Sequence, residues 1–264
     1  MNKLLTRQLK QIERLEQKIM NQSENQMLKS TLSPAKDKLE SMIPEKLKSV
    51  LNTAFYKGFQ LVFEKGSPYI EKTYQKDKIK VEYDINNYAF DRELNKQYIK
   101  RLDKQSKQSN RINTSISVVE GSVLGLLGIG LPDIPLFISV LVKTIYEIAL
   151  SYGFHYDTEE EKAYILLLLC AAISKDDHQK ELNTEVDQLG ANLDQNIVTE
   201  LEIDVLMKNT AQMLSDALLT AKFVQGIPII GTIGGIVNYN IHKKIATYAR
   251  IKYKKRYLLK KMQE

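Results

Sequence analysis

Tryptophan is absent from this chain, and cysteine occurs once, at Cys170. A single thiol excludes a disulfide within the chain and fits an intracellular setting. Cys170 also lies in the apolar run 165–173, where a free cysteine packs as a small buried hydrophobe. Histidine is scarce as well, with only His155, His178 and His242. His155 precedes Glu159 by four residues, a spacing that can ligate a metal on a helix, but Gly153 and Asp157 place it in a linker. Asp176-Asp177-His178 reads as a polar turn whose acid caps the next helix. A Walker phosphate loop, a dinucleotide fingerprint and a thiol–histidine motif are all missing. No cofactor and no metal are therefore expected. The first ten residues are charged throughout and contain no apolar signal region, so secretion is not expected. Strand-like alternation is rare, and Asn-Gly and Asp-Gly hairpin signals do not occur.

Glycine is sparse too, but eight of its twelve copies sit in two windows. Gly121, Gly125, Gly128 and Gly130 form one; Gly226, Gly231, Gly234 and Gly235 form the other. Each glycine costs a helix about 1 kcal/mol, so such clustering calls for a packing or functional reason. Gly121/Gly125 and Gly231/Gly235 are small-xxx-small pairs of the kind that lets two helix backbones touch. Both windows are apolar, and a span needs about 20 apolar residues. The first reaches span-like hydropathy over 121–142, whereas the second, over 223–241, falls below it. Pro132-Asp133-Ile134-Pro135 breaks the first near its middle, and one straight span would bury Asp133 in the bilayer. The windows therefore predict a close helix crossing inside a protein core, with Gly121, Gly125, Gly128, Gly231 and Gly235 as its structural glycines.

Charge is segregated along the chain. Residues 1–113 carry 23 Lys/Arg against 14 Asp/Glu, a net of +9. Residues 114–222 carry 6 against 17, a net of −11, and residues 223–264 carry 9 against 1, a net of +8. The basic ends suit either the acidic middle or an external anionic surface. In the tail, Lys252, Lys254, Lys255 and Arg256 alternate with tyrosines, a composition that fits anionic lipid headgroups. Nucleic acid is not the expected partner, because no recognition helix or aromatic platform accompanies these cations.

Periodicity predicts helices almost everywhere. The first runs over 2–28 on the stripe Leu5, Leu9, Ile12, Leu15 and Ile19. Pro44 opens another, reaching 65, with Leu47, Val50, Leu51, Ala54, Phe55 and Val62 inward. The basic stretch 72–110 reads as two surface helices joined near Asp84-Ile85-Asn86-Asn87. Further helices are expected over 134–152, ending at Gly153, then from 159 through the run Tyr164 to Ile173, over 178–193, over 200–224 and from Pro228 to about 261. The fold class is all-α: a single multi-helix domain over 41–264, preceded by a helical leader or arm over 1–40.

The ordered set Gly121, Gly125, Gly128, Gly130-Leu131-Pro132-Asp133-Ile134-Pro135, then Glu147-Ile148-Ala149, Tyr152-Gly153-Phe154, and Gly226-Ile227-Pro228-Ile229-Ile230-Gly231 resembles the EcsC protein family. Ile43-Pro44-Glu45-Lys46, Asn238 and Ala249-Arg250 extend the likeness, which covers about 41–257. That family is bacterial and has no established enzymatic activity. Its namesake is encoded beside an ATP-binding-cassette transporter linked to protein secretion. The apolar windows and the cationic tail suggest an anionic membrane surface as a partner; together with them the resemblance implies a non-enzymatic accessory protein, cytoplasmic or at the inner face of the cell membrane, with a transporter subunit as a further partner. Two other readings remain open: a soluble helical adaptor docking through its basic N-terminal region, and an enzyme using Asp133 and Glu147. Glu120, Asp133, Glu147 and Asn238 are polar residues set in or beside the most apolar sequence, and buried polar groups need partners. They form the candidate ligand or partner site. The structural alternative has Asp133 capping its helix, Glu147 paired with a cation such as Arg250, and Asn238 bonded to backbone.

Overall fold

Helical spacing of apolar residues becomes α-helix throughout the computed structural model, which describes residues 3–22, 43–108, 133–224 and 235–264. No strand occurs among them. In chain order the helices are α1 (Lys3–Gln22), α2 (Glu45–Leu61), α3 (Ser67–Glu71), α4 (Lys76–Arg92) and α5 (Lys96–Gln108). They continue as α6 (Asp133–Ser151), α7 (Glu159–Ile173), α8 (Asp176–Asp194), α9 (Ile203–Val224) and α10 (Gly235–Gln263). A π-helical turn, Val62–Gly66, joins α2 to α3.

The run Tyr164 to Ala172 has no polar face, and a helix apolar all round has its place inside. Every residue from Ala163 to Ala172 is buried accordingly. Around α7 pack α8, α9 and α10, and α6 forms a second centre against α2, α4, α5 and α10. One continuous apolar cluster runs from Leu5 to Leu258, so the all-α fold is a single domain. One described helix is long and apolar enough to cross a membrane, over Ile134–Ser151, and 78% of that window is buried inside the molecule.

Local signals set several boundaries. Gly153 takes φ +80 after α6, and the amides of Gly153 and Phe154 return to the carbonyls of Leu150 and Ala149, a Schellman closure that glycine allows without a Cβ clash. The Thr158 hydroxyl accepts the Glu161 amide at the start of α7, ahead of three acids in its first turn. The polar turn at 175–178 differs from expectation: Asp176 is already the first helical residue, and Lys175 holds the cap position.

Two further expectations are corrected. Asp84-Ile85-Asn86-Asn87 does not break the basic stretch, because the Asn86 amide bonds the Glu82 carbonyl one turn back and Phe90 is anchored in the core. The break comes later, where Asn95 Oδ1 accepts the Gln97 amide and starts α5. Val50 does not point inward either; it is 49% exposed. The buried side of α2 is formed by Ala54, Phe55, Gly58 and Phe59, and Val50 lies about 100° from its centre around the helix.

Gly121, Gly125, Gly128 and Gly231 lie outside the described residues, and the expected glycine crossing lies there with them. Gly235 is the first residue of α10. The helices that follow the two windows, α6 and α10, pack on each other. Within the described residues the close backbone approach is at Gly58, where an added Cβ would sit 2.6 Å from Ile138 Cδ1 and 3.8 Å from the Pro135 backbone of α6.

Candidate functional site

Four clustered cations of α10, Lys252, Lys254, Lys255 and Arg256, do not face outward. This helix is covered by α1, α6, α7 and α8, so Lys252, Lys254 and Arg256 are buried and Lys255 is half-buried. Burying a cation costs several kcal/mol unless acids meet it, and acids meet each one. Lys252 is paired with Glu16 and with Asp187, the latter at 2.7 Å. Lys255 reaches the same two carboxylates at 2.8 and 2.6 Å. Lys254 pairs with Asp103 of α5 at 2.7 Å. Arg256 binds Glu161 and Asp194, at 2.8 and 2.7 Å from Nη2, and its guanidinium lies 4.3 Å from the Phe154 ring. Burial pulls the Lys252 ammonium below its ordinary pKa, with Glu16 and Asp187 opposing. The tail expected on an anionic surface is therefore an internal seam, and four of its cations hold α1, α5, α7 and α8 together. The acids Glu161, Asp187 and Asp194 come from the acidic middle of the chain, so the basic C-terminal segment meets that middle. The inward direction left one trace in sequence: Tyr248, Ile251, Tyr253, Tyr257 and Leu258 surround the cations with bulky residues, and all five are buried.

Of the four candidate site residues, Glu147 is the one whose surroundings are described. Glu120 lies outside the described residues. Asp133 and Asn238 fall in α6 and α10, but their side chains lie outside the description. Glu147 is half-buried, and burial pushes its carboxyl up to about 7, with Lys143 opposing. It does not pair with Arg250, whose guanidinium donates to the Thr247 hydroxyl and feels Tyr152 and Asp103. Asp133 and Glu147 also stand fourteen residues apart on one helix, about 21 Å, so they do not form one acid–base pair of the kind glycoside hydrolysis uses.

Beside Glu147 lies a tyrosine relay that sequence reading missed. The Tyr74 and Tyr156 hydroxyls are 2.5 Å apart, and Tyr156 donates to Glu71 at 2.8 Å. Lys76 pairs with Glu71 at 2.7 Å. Tyr146 stacks on Tyr156 at 3.7 Å between centroids. Burial raises Glu71, but bonds from Lys76 and Tyr156 outweigh it and hold the carboxyl below its ordinary value. Burial raises the Tyr74 phenol, and the charges of Glu71 and Glu147 add to it. A carboxyl that exchanges its proton near neutrality thus sits within electrostatic reach of a hydrogen-bonded chain. A cavity of about 540 Å3 lies elsewhere, between α2 and α9, lined by Lys48, Asn52, Gln212 and Asp216 among others.

The other reactive groups are occupied or exposed. Cys170 is buried, its thiol pushed up to about 11 by burial, with Thr210 Oγ1 at 3.2 Å. His242 is buried with Nε2 2.8 Å from Thr144 Oγ1, and burial lowers its pKa. His155 is exposed in the linker, and His178 is exposed with Nδ1 3.5 Å from Glu181. Among the described residues no group of three or more His, Cys, Asp or Glu is placed to hold a metal ion.

Comparison with known proteins places the chain. The model of the EcsC protein family matches residues 6–258, from α1 into α10. Protein EcsC of Bacillus subtilis (strain 168) is 26% identical over 246 residues, covering 92% of each chain. The uncharacterized protein YdbA of the same organism is 25% identical over 179 residues, covering 62% of this chain and 60% of that one. No solved structure matches. The chain belongs to the EcsC protein family.

Proposed function

We propose that this member of the EcsC protein family is a non-enzymatic accessory protein. It works at the cytoplasmic, anionic face of a membrane, alongside an ATP-binding-cassette transporter or the secretion it serves. The observation that carries this reading is where the charge goes. Four C-terminal cations are consumed by interior acids. The N-terminal segment 1–113 keeps its net of +9, with Lys3, Arg7, Lys10, Arg14 and Lys18 of α1 exposed. Such a surface gains about 1 kcal/mol per cation near anionic headgroups. Contact is peripheral in this reading, since the one described helix long enough to span is mostly buried in the core. The transporter partner follows from the family alone.

The test is flotation of the purified chain with phosphatidylserine-containing vesicles. It co-floats at low ionic strength and is released at about 1 M salt, where the Debye length is about 3 Å. A chain that stays at the bottom of a low-salt gradient refutes the membrane reading. The enzyme reading would use Asp133 and Glu147, which stand about 21 Å apart along α6.

A further inference from the structure

We infer that the outer face of α1 is the surface that meets anionic lipid headgroups; this rests on the membrane reading above. Lys3, Arg7, Lys10, Arg14 and Lys18 follow one another at spacings of four, three, four and four residues. At 100° per residue all five fall within an arc of about 80°, in a row about 22 Å long. All five are exposed. None of them forms an ion pair with a described residue, in contrast to Lys252, Lys254, Lys255 and Arg256 of α10.

The rest of α1 explains why this row is held outward. Leu5, Gln8, Ile12, Glu16 and Met20 lie on the opposite side and are buried. Glu16 is taken by Lys252 and Lys255 of α10. That pair does two things at once. It removes an acid from the exposed side of α1, and it fixes the roll of the helix so that every unpaired cation points away from the body. Glu13, the other acid of α1, is half-buried and sits about 60–140° around from the row.

The chemistry of the row favours a lipid surface over a nucleic acid. α1 contains no aromatic residue, so it offers bases no stacking platform. A helix lying flat on its body presents a straight ridge, which suits a planar array of headgroups. Leu15, 50% exposed at the edge of that ridge, supplies an apolar side chain for the headgroup–acyl boundary.

The experiment compares three full-length chains by vesicle flotation: the wild type, R7E/K10E/R14E on α1, and K100E/K104E/K107E on α5. The two variants change net charge equally. Binding is read against phosphatidylserine-containing vesicles, phosphatidylcholine vesicles and a DNA duplex, with thermal melts run on each chain. Each cation near the surface contributes about a fivefold gain in partitioning. The α1 variant is therefore expected to lose at least 100-fold in affinity for anionic vesicles, with the α5 variant within about fivefold of wild type. R7Q/K10Q/R14Q reads the same surface should reversed charges disturb α1, and is expected to lose roughly 100-fold. Equal losses in the α1 and α5 variants, or wild-type binding by the α1 variants, overturn the assignment while leaving the membrane reading intact. Preference of the wild type for the duplex over anionic vesicles overturns the lipid partner. A wild-type chain that binds no vesicle overturns the membrane reading and the assignment with it.

Discussion

Lys255 and Glu16 lie 239 positions apart in sequence, yet Nζ and Oε2 are 2.8 Å from each other. Lys252, one turn earlier on α10, shares the same carboxylate, and Asp187 of α8 bridges both lysines. Two cations and two acids thus join the first helix, the last helix and α8. Lys252 is fully shielded from solvent, so the ring works only while both acids are present.

Glu16→Ala is expected to be costly for that reason. It strips one of two acids from a buried ammonium, and breaking a buried pair from one side costs about 3–5 kcal/mol. Urea denaturation should show the loss as a lowered midpoint. Limited proteolysis should show earlier cleavage in α1. A midpoint equal to wild type would mean the ring contributes nothing to holding α1.

Glu147 predicts a pH dependence of stability. Its folded-state pKa is raised to about 7 from an ordinary value of 4.5, chiefly by burial. Between those two pH values the folded chain binds more protons at this site than the unfolded chain. Its contribution to stability therefore falls as pH rises from about 4.5 to 7 and stays low above that. Glu147→Gln should remove this contribution to the slope and stabilise the protein at pH 8 by about 3 kcal/mol. Denaturation curves at pH 5 and pH 8 decide it: an unchanged difference between wild type and variant at the two pH values contradicts the shift.

Two glycines should respond differently to alanine. At Gly153 the backbone has φ +80 and a Cβ would overlap the Tyr83 ring at 2.1 Å. Gly153→Ala is expected to cost about 2 kcal/mol or more. At Gly58 the contact is the far end of Ile138, at 2.6 Å, and a helical alanine regains about 1 kcal/mol of propensity. Gly58→Ala should melt within a few degrees of wild type, and Gly58→Leu well below it. Similar melting temperatures for Gly153→Ala and wild type would contradict the cap geometry.

The glycine windows carry their own test. Gly125→Leu and Gly231→Leu should each be destabilising by about 1–3 kcal/mol through overpacking, if two helices cross there in contact. Thermal melts near the wild-type temperature in both variants would refute the crossing.

Local chemistry made much of this fold readable in advance. The uncharged run at 164–173 could only be a core helix, Gly153 marked a left-handed cap, and Thr158 with three following acids marked a helix start. These features depend on neighbours within about five residues, so the sequence states them directly. The join in the basic stretch was misplaced because an asparagine can bond its own helix as readily as end it. Part of the candidate site was legible in the same way: Glu147, an acid in apolar sequence, does prove half-buried with a raised pKa. Its neighbours Tyr74 and Tyr156 were not, since they come from other parts of the chain and their spacing carries no signal.

The sequence by itself determined that α10 is a helix dense in cations and tyrosines. It did not determine what those cations meet. A headgroup phosphate and an interior carboxylate satisfy a lysine equally well, and composition does not distinguish them. The acids that answer Lys252, Lys254, Lys255 and Arg256 sit at 16, 103, 161, 187 and 194. Only packing brings them together, because burying a charge is affordable only where distant segments deliver the opposite one. The same packing decided which cations remain outside, among them the row on α1.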